Sequence, residues 1–69
     1  MPLTFAKTGE ENIIRKIGGT AEVKKHLSDL GFVVGGTVTV VNTLGGNMIV
    51  NVKNSRVAID KQMANKIII

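Results

Sequence analysis

The chain has no cysteine, tryptophan or tyrosine, one proline, one histidine and two phenylalanines among 69 residues. Without cysteine there is no disulfide, no thiolate metal site and no thiol nucleophile. The near absence of aromatics removes the rings on which single-strand binders stack bases and the grooves that hold proline-rich peptides. No stretch approaches the roughly 20 apolar residues of a spanning helix, and Met1-Pro2-Leu3-Thr4-Phe5 lacks the basic start and long apolar centre of a secretory signal. Nothing in the residues directs the chain out of the cytoplasm. No G-x-x-x-x-G-K-[ST] motif is present, so the chain is not itself a P-loop nucleotidase. His26 and Asp29 share one short segment with Ser28, and no catalytic triad is implied.

What remains is aliphatic. The apolar fraction is 43%, mostly Ile, Val and Leu, residues that suit a pleated, half-buried surface. The length allows one domain, residues 1–69. A core of this size rarely supplies more than about 3–5 kcal/mol, so packing carries the fold. Nine Lys or Arg against five Asp or Glu give a net charge of +4. This mild excess is spread along the chain and selects no class of acidic partner.

Met1–Phe5 reads as a short edge strand, with Pro2 where no ladder donor is needed, and both Phe5 and Phe32 suit a core. Lys7–Asn12 is a polar turn, and Ile13–Ile17 a strand ending at Gly18-Gly19. Thr20–Leu30 is the one convincing helix. Thr20 suits an N-cap, Glu22 complements the positive end of the helix dipole, and Val23, Leu27 and Leu30 form one apolar stripe. Gly31 supplies a left-handed stop, onto which Phe32 can fold back. Such a helix is too short to persist alone, the limit being about 12–15 residues, so it must lie on the strands.

Thr37–Thr43 and Met48–Lys53 read as a hairpin. A three-residue loop Gly45-Gly46-Asn47 sets Leu44 opposite Met48, Asn42 opposite Val50 and Val40 opposite Val52. One face is then Val38, Val40, Leu44, Met48, Val50 and Val52, broken only by Asn42. A two-residue Gly45-Gly46 turn would set Val40 opposite Asn51 and mix the faces, so the longer loop is expected. Asn54-Ser55 is a second turn, Arg56–Ile59 a strand, Asp60–Asn65 a helical turn and Lys66–Ile69 a last strand. The paired glycines at element boundaries read as turns rather than as phosphate cradles. Five or six short strands, one α-helix and a short helical turn before the last strand suggest a mainly β fold. The spacing allows either a small barrel or an open sheet with a helix across one face.

Only Glu22, His26 and Asp29 have ligand chemistry in a pattern. At i, i+4 and i+7 they project from one helix face, where they could hold a divalent cation weakly or form an ordinary polar stripe.

The ordered set Ile17-Gly18-Gly19, Leu27-Ser28-Asp29-Leu30-Gly31-Phe32, Gly35-Gly36-Thr37-Val38-Thr39-Val40-Val41, Gly45-Gly46-Asn47-Met48-Ile49-Val50, Val52-Lys53, Arg56-Val57-Ala58-Ile59 and Met63-Ala64-Asn65-Lys66-Ile67 resembles the ferrous iron transport protein A (FeoA) family. The resemblance runs from Leu3 to Ile69. Val34 stands where the family often has proline, and Asn47-Met48 where it often reads aspartate-proline. The resemblance implies an SH3-like barrel without catalytic residues or a required cofactor. It also implies a cytoplasmic accessory role in bacterial ferrous iron uptake, with the membrane permease FeoB and its GTP-binding domain as partner. The surface expected to meet that partner is the exposed side of the helix and its following loop, around Lys24, Lys25, Ser28, Phe32 and Val33. A direct carrier or sensor of ferrous iron, using Glu22, His26 and Asp29, is the alternative. Neither nucleic acid nor membrane insertion is expected, and a homo-oligomer is compatible with the residues.

Overall fold

The expected hairpin exists, but its register differs. In the computed structural model, which describes residues 1–69, β3 (Thr37–Leu44) and β4 (Asn47–Val52) are joined by the two-residue turn Gly45-Gly46. Leu44 therefore faces Asn47, Thr43 faces Met48 and Asn42 faces Ile49. Continued unbroken, this register would put Val40 opposite Asn51, the mixing that argued for a longer loop. A β-bulge at Val41 absorbs one residue, so that Val40 faces Val50 and Val38 faces Val52. The bulge turns Asn42 and Leu44 away from the core face, and Leu44 is 57% exposed. Bulges also bend and twist a ladder, which closure of a small barrel requires.

The order of the main sheet is β1 (Glu11–Ile13), β3, β4, β5 (Ser55–Asp60), all antiparallel. The turn between β4 and β5 is Lys53-Asn54 rather than Asn54-Ser55, with φ of 49° and 62°. Positive φ at both central positions defines a type I′ turn, whose twist matches that of the flanking strands. A second, two-stranded sheet pairs β2 (Lys16–Ile17) with β6 (Ile67–Ile68). The expected single strand Ile13–Ile17 is thus split between two sheets. Ile14 lies in the break, where its N–H donates to the Gly36 carbonyl and its own carbonyl accepts from Gly35 N–H, both at 2.8 Å. The chain turns there, burying Ile14 and exposing Ile13.

The segment expected as an edge strand at Met1–Phe5 is instead a 3₁₀ turn, Leu3–Phe5, preceded by a single bridge from Pro2 to Ile68. Leu3 enters the core, and Phe5, expected inside, points outward with 70% exposure. A three-residue period cannot aim positions 3 and 5 the same way.

Two helices complete the chain. The longer, α1 (Ala21–Leu30), crosses from β2 to β3, and a single turn, α2 (Lys61–Ala64), links β5 to β6. Asp60 caps α2 by accepting from Met63 N–H at 2.7 Å. The core is one cluster: Leu3, Ile14, Leu27, Phe32, Val38, Val40, Met48, Val50, Val52, Ile59, Ala64 and Ile67. It contains no buried polar or charged residue. No helix is long and apolar enough to cross a membrane.

Candidate docking surface

Both ends of α1 are fixed by caps, and its outer face is exposed to solvent. Thr20 Oγ1 accepts from Val23 N–H at 3.2 Å, satisfying one of the orphan donors of the first turn. At the other end Gly31 adopts φ 109°, its N–H donating to Ser28 O, while Phe32 N–H donates to Leu27 O, both at 2.9 Å. These two bonds form a Schellman motif, and its usual apolar contact falls to Leu27 and Phe32, both fully buried. The stripe read from the sequence does pack inward: Leu27 is buried, and Val23 and Leu30 lie against the core.

Phe32 therefore cannot belong to a contact surface. It is 0% exposed and closes the helix onto the sheet, so it leaves the set expected to meet a partner. Lys24, Lys25 and Ser28 are exposed and Val33 is half-buried. At 100° per residue, Lys24 and Ser28 form one row of α1 and Lys25 the row beside it. Exposed Val34 extends the surface past Val33.

Glu22, His26 and Asp29, all exposed, line one open depression together with Val23, Lys25 and Met63. The helical spacing does bring the three to one place, yet no three of the chain's His, Asp and Glu side chains are placed to hold a metal ion together. Met63, from α2, was not anticipated as a neighbour of this row. Its apolar side chain in an otherwise polar turn was the available signal. The depression thus has a partly apolar floor (Val23 and Met63) and a rim of mixed charge. The depression is open rather than a closed cleft.

Comparison with known proteins agrees with the residue pattern. The family model described as FeoA domain matches residues 1–69. A protein of Methanocaldococcus jannaschii named Fe(2+) transport protein A is 35% identical over 68 residues, covering 99% of this chain and 83% of the relative. The crystal structure of an iron uptake regulatory protein, FeoA, superposes with a TM-score of 0.87 at 29% identity, over 96% of this chain and 88% of the other. Stenotrophomonas maltophilia FeoA, solved in complex with zinc and described as an SH3 domain protein, gives a TM-score of 0.85 at 22% identity over 99% and 87% of the two chains. The six strands therefore make an SH3-like barrel, and the chain belongs to the FeoA domain family.

Proposed function

We propose that this protein is a cytoplasmic accessory factor of ferrous iron uptake that docks on the GTP-binding cytoplasmic domain of a FeoB-type permease. The observation that carries the reading is the division of labour on α1. Its inner stripe and both caps are spent on the fold, while Lys24, Lys25 and Ser28 stay solvated on a rigid scaffold. That combination suits a docking element, because a backbone already fixed need not be ordered on binding and only side-chain freedom is lost. Family membership and the name of the Methanocaldococcus jannaschii relative, an Fe(2+) transport protein A, support the ferrous iron setting. Catalysis has no such support, since polar side chains are absent from the interior and the depression beside α1 is open.

Purified cytoplasmic domain of the cognate permease should retain the protein in a pull-down. Lys24→Glu/Lys25→Glu should weaken retention at low salt more than at high salt, because exposed charges are screened within about 10 Å at 0.1 M. Absence of retention both with and without guanine nucleotide would remove the reading. A ferrous iron carrier working through Glu22, His26 and Asp29 makes a different prediction: micromolar anaerobic binding that His26→Ala abolishes. The geometry favours docking over this alternative, because the three groups line a depression without converging on one point.

A further inference from the structure

Strand β5 ends the main sheet and pairs only with β4. Across the type I′ turn, Val52 and Ser55 face each other, followed by Asn51 and Arg56, Val50 and Val57, Ile49 and Ala58. In a two-residue hairpin the pair flanking the turn exchanges hydrogen bonds, and every second pair thereafter does the same. Ser55, Val57 and Ile59 thus bond to β4, which aims the N–H and C=O of Arg56 and Ala58 and the N–H of Asp60 outward. The Asp60 carbonyl is taken by α2, of which Asp60 is the N-cap, and no turn or loop backbone group bonds to Arg56 or Ala58. Natural edges are commonly blunted by proline, lysine or a bulge. This one has none of them: its residues are Ser-Arg-Val-Ala-Ile-Asp and its register with β4 is unbroken.

We propose that β5 is a self-association edge, pairing antiparallel with β5 of a second copy, with Ala58 opposite the partner's Ala58 on the two-fold axis. The register follows from two conditions. Outward backbone groups must meet outward groups, which restricts alignments to Arg56, Ala58 and Asp60 opposite one another. Centring on Arg56 or on Asp60 opposes like charges, centring on Val57 leaves Asp60 opposite no residue of the strand, and centring on Ile59 leaves Arg56 so. Centring on Ala58 sets Arg56 against the partner's Asp60 twice, on the solvent face where all three side chains are exposed. One Asp60 oxygen caps α2, leaving the other for the guanidinium, and the small Ala58 side chain lets the strands approach. So short an overlap falls well under the roughly 1,200 Å² of a standard interface, so the dimer is weak and needs a concentrated sample to be seen. This inference is independent of the docking role of α1.

The absence of native cysteine makes the test direct. Under oxidising glutathione, Ala58→Cys should convert to a disulfide-linked dimer, because the paired Cα atoms fall within the about 4.4–6.8 Å range a disulfide spans. Arg56→Cys should stay monomeric, because its two copies would lie about 14 Å apart along the strands, four residues at roughly 3.4 Å each. In sedimentation equilibrium at about 1 mM, wild type should show a reversible dimer. Arg56→Asp should lower the association at least tenfold, as should Ala58→Pro, which removes only an outward N–H and keeps the ladder to β4. Circular dichroism checks that each variant is folded, and Arg56→Asp decides the matter if Ala58→Pro is not. Equal cross-linking of the two cysteine variants, or a wild type that stays monomeric at about 1 mM, would overturn the proposal.

Discussion

Replacing Gly31 with alanine isolates one contribution to stability. Gly31 closes α1 at φ 109°, a region L-residues rarely enter. A Cβ built there would lie 3.6 Å from a Val52 methyl and 3.7 Å from Lys53 Cδ, which is ordinary contact. No clash adds to the cost, and none of the core is removed. The penalty is backbone strain, about 1–2 kcal/mol for an L-residue in left-handed geometry, offset in part by about 0.4–1 kcal/mol from the stiffer unfolded chain. A net loss of roughly 1 kcal/mol follows. For a domain of this size that shifts the melting temperature by about 4–8 °C. Gly19→Ala is the built-in comparison: its φ is also positive, at 96°, but its Cβ would sit 3.0 Å from Lys66 Cδ and 3.1 Å from Val23 Cγ1. Val23 packs on the core, so this second variant should lose clearly more. Urea denaturation of both variants, with unchanged m-values, measures the difference. Equal losses, or a Gly31→Ala loss as large as a core truncation, would show that backbone strain at Gly31 is not what separates the two positions.

Other outcomes follow from the same structure. Leu27→Ala empties a fully buried site between α1 and the sheet and should cost about 2–5 kcal/mol, enough to leave much of the protein unfolded in thermal melts. Asp60→Ala removes the α2 cap and should cost about 0.5–2 kcal/mol, while Asp60→Asn should recover most of it. Phe5→Ser and Leu44→Ser, at positions 70% and 57% exposed, should each stay within about 0.5 kcal/mol of wild type in denaturant titrations.

The longer helix was legible because its signals are local. Thr20, the 23/27/30 stripe and Gly31 each act within one or two turns, and all three operate as read. The same holds for Asp60 at the start of α2. The hairpin register was not legible, because alternation assumes an uninterrupted pleat. Asn42, the one polar break in the expected face, was the trace of the bulge: past Val41 the parity reverses, and Asn42 and Leu44 belong outside. The split of Ile13–Ile17 depends on where Gly35 and Gly36 return in space, which no local pattern encodes. Phe5 was misplaced because hydrophobicity alone does not choose between two apolar residues of one tight turn. Of the residues expected to meet a partner, the exposure of Lys24, Lys25 and Ser28 was legible from their helix positions. The burial of Phe32 was missed by counting a residue of the C-terminal cap as part of the loop beyond it, when the Schellman motif turns that side chain inward.

The proposed role rests on the outer face of α1 being a partner-binding surface. Amide shifts of the labelled protein, followed by NMR as the permease's cytoplasmic domain is titrated in, measure this directly. Saturable shifts clustered at Lys24, Lys25, Ser28 and Val33, with β1 and β5 unaffected, are the predicted result. Shifts confined to the opposite side of the barrel, or none at all at high partner concentration, would contradict it.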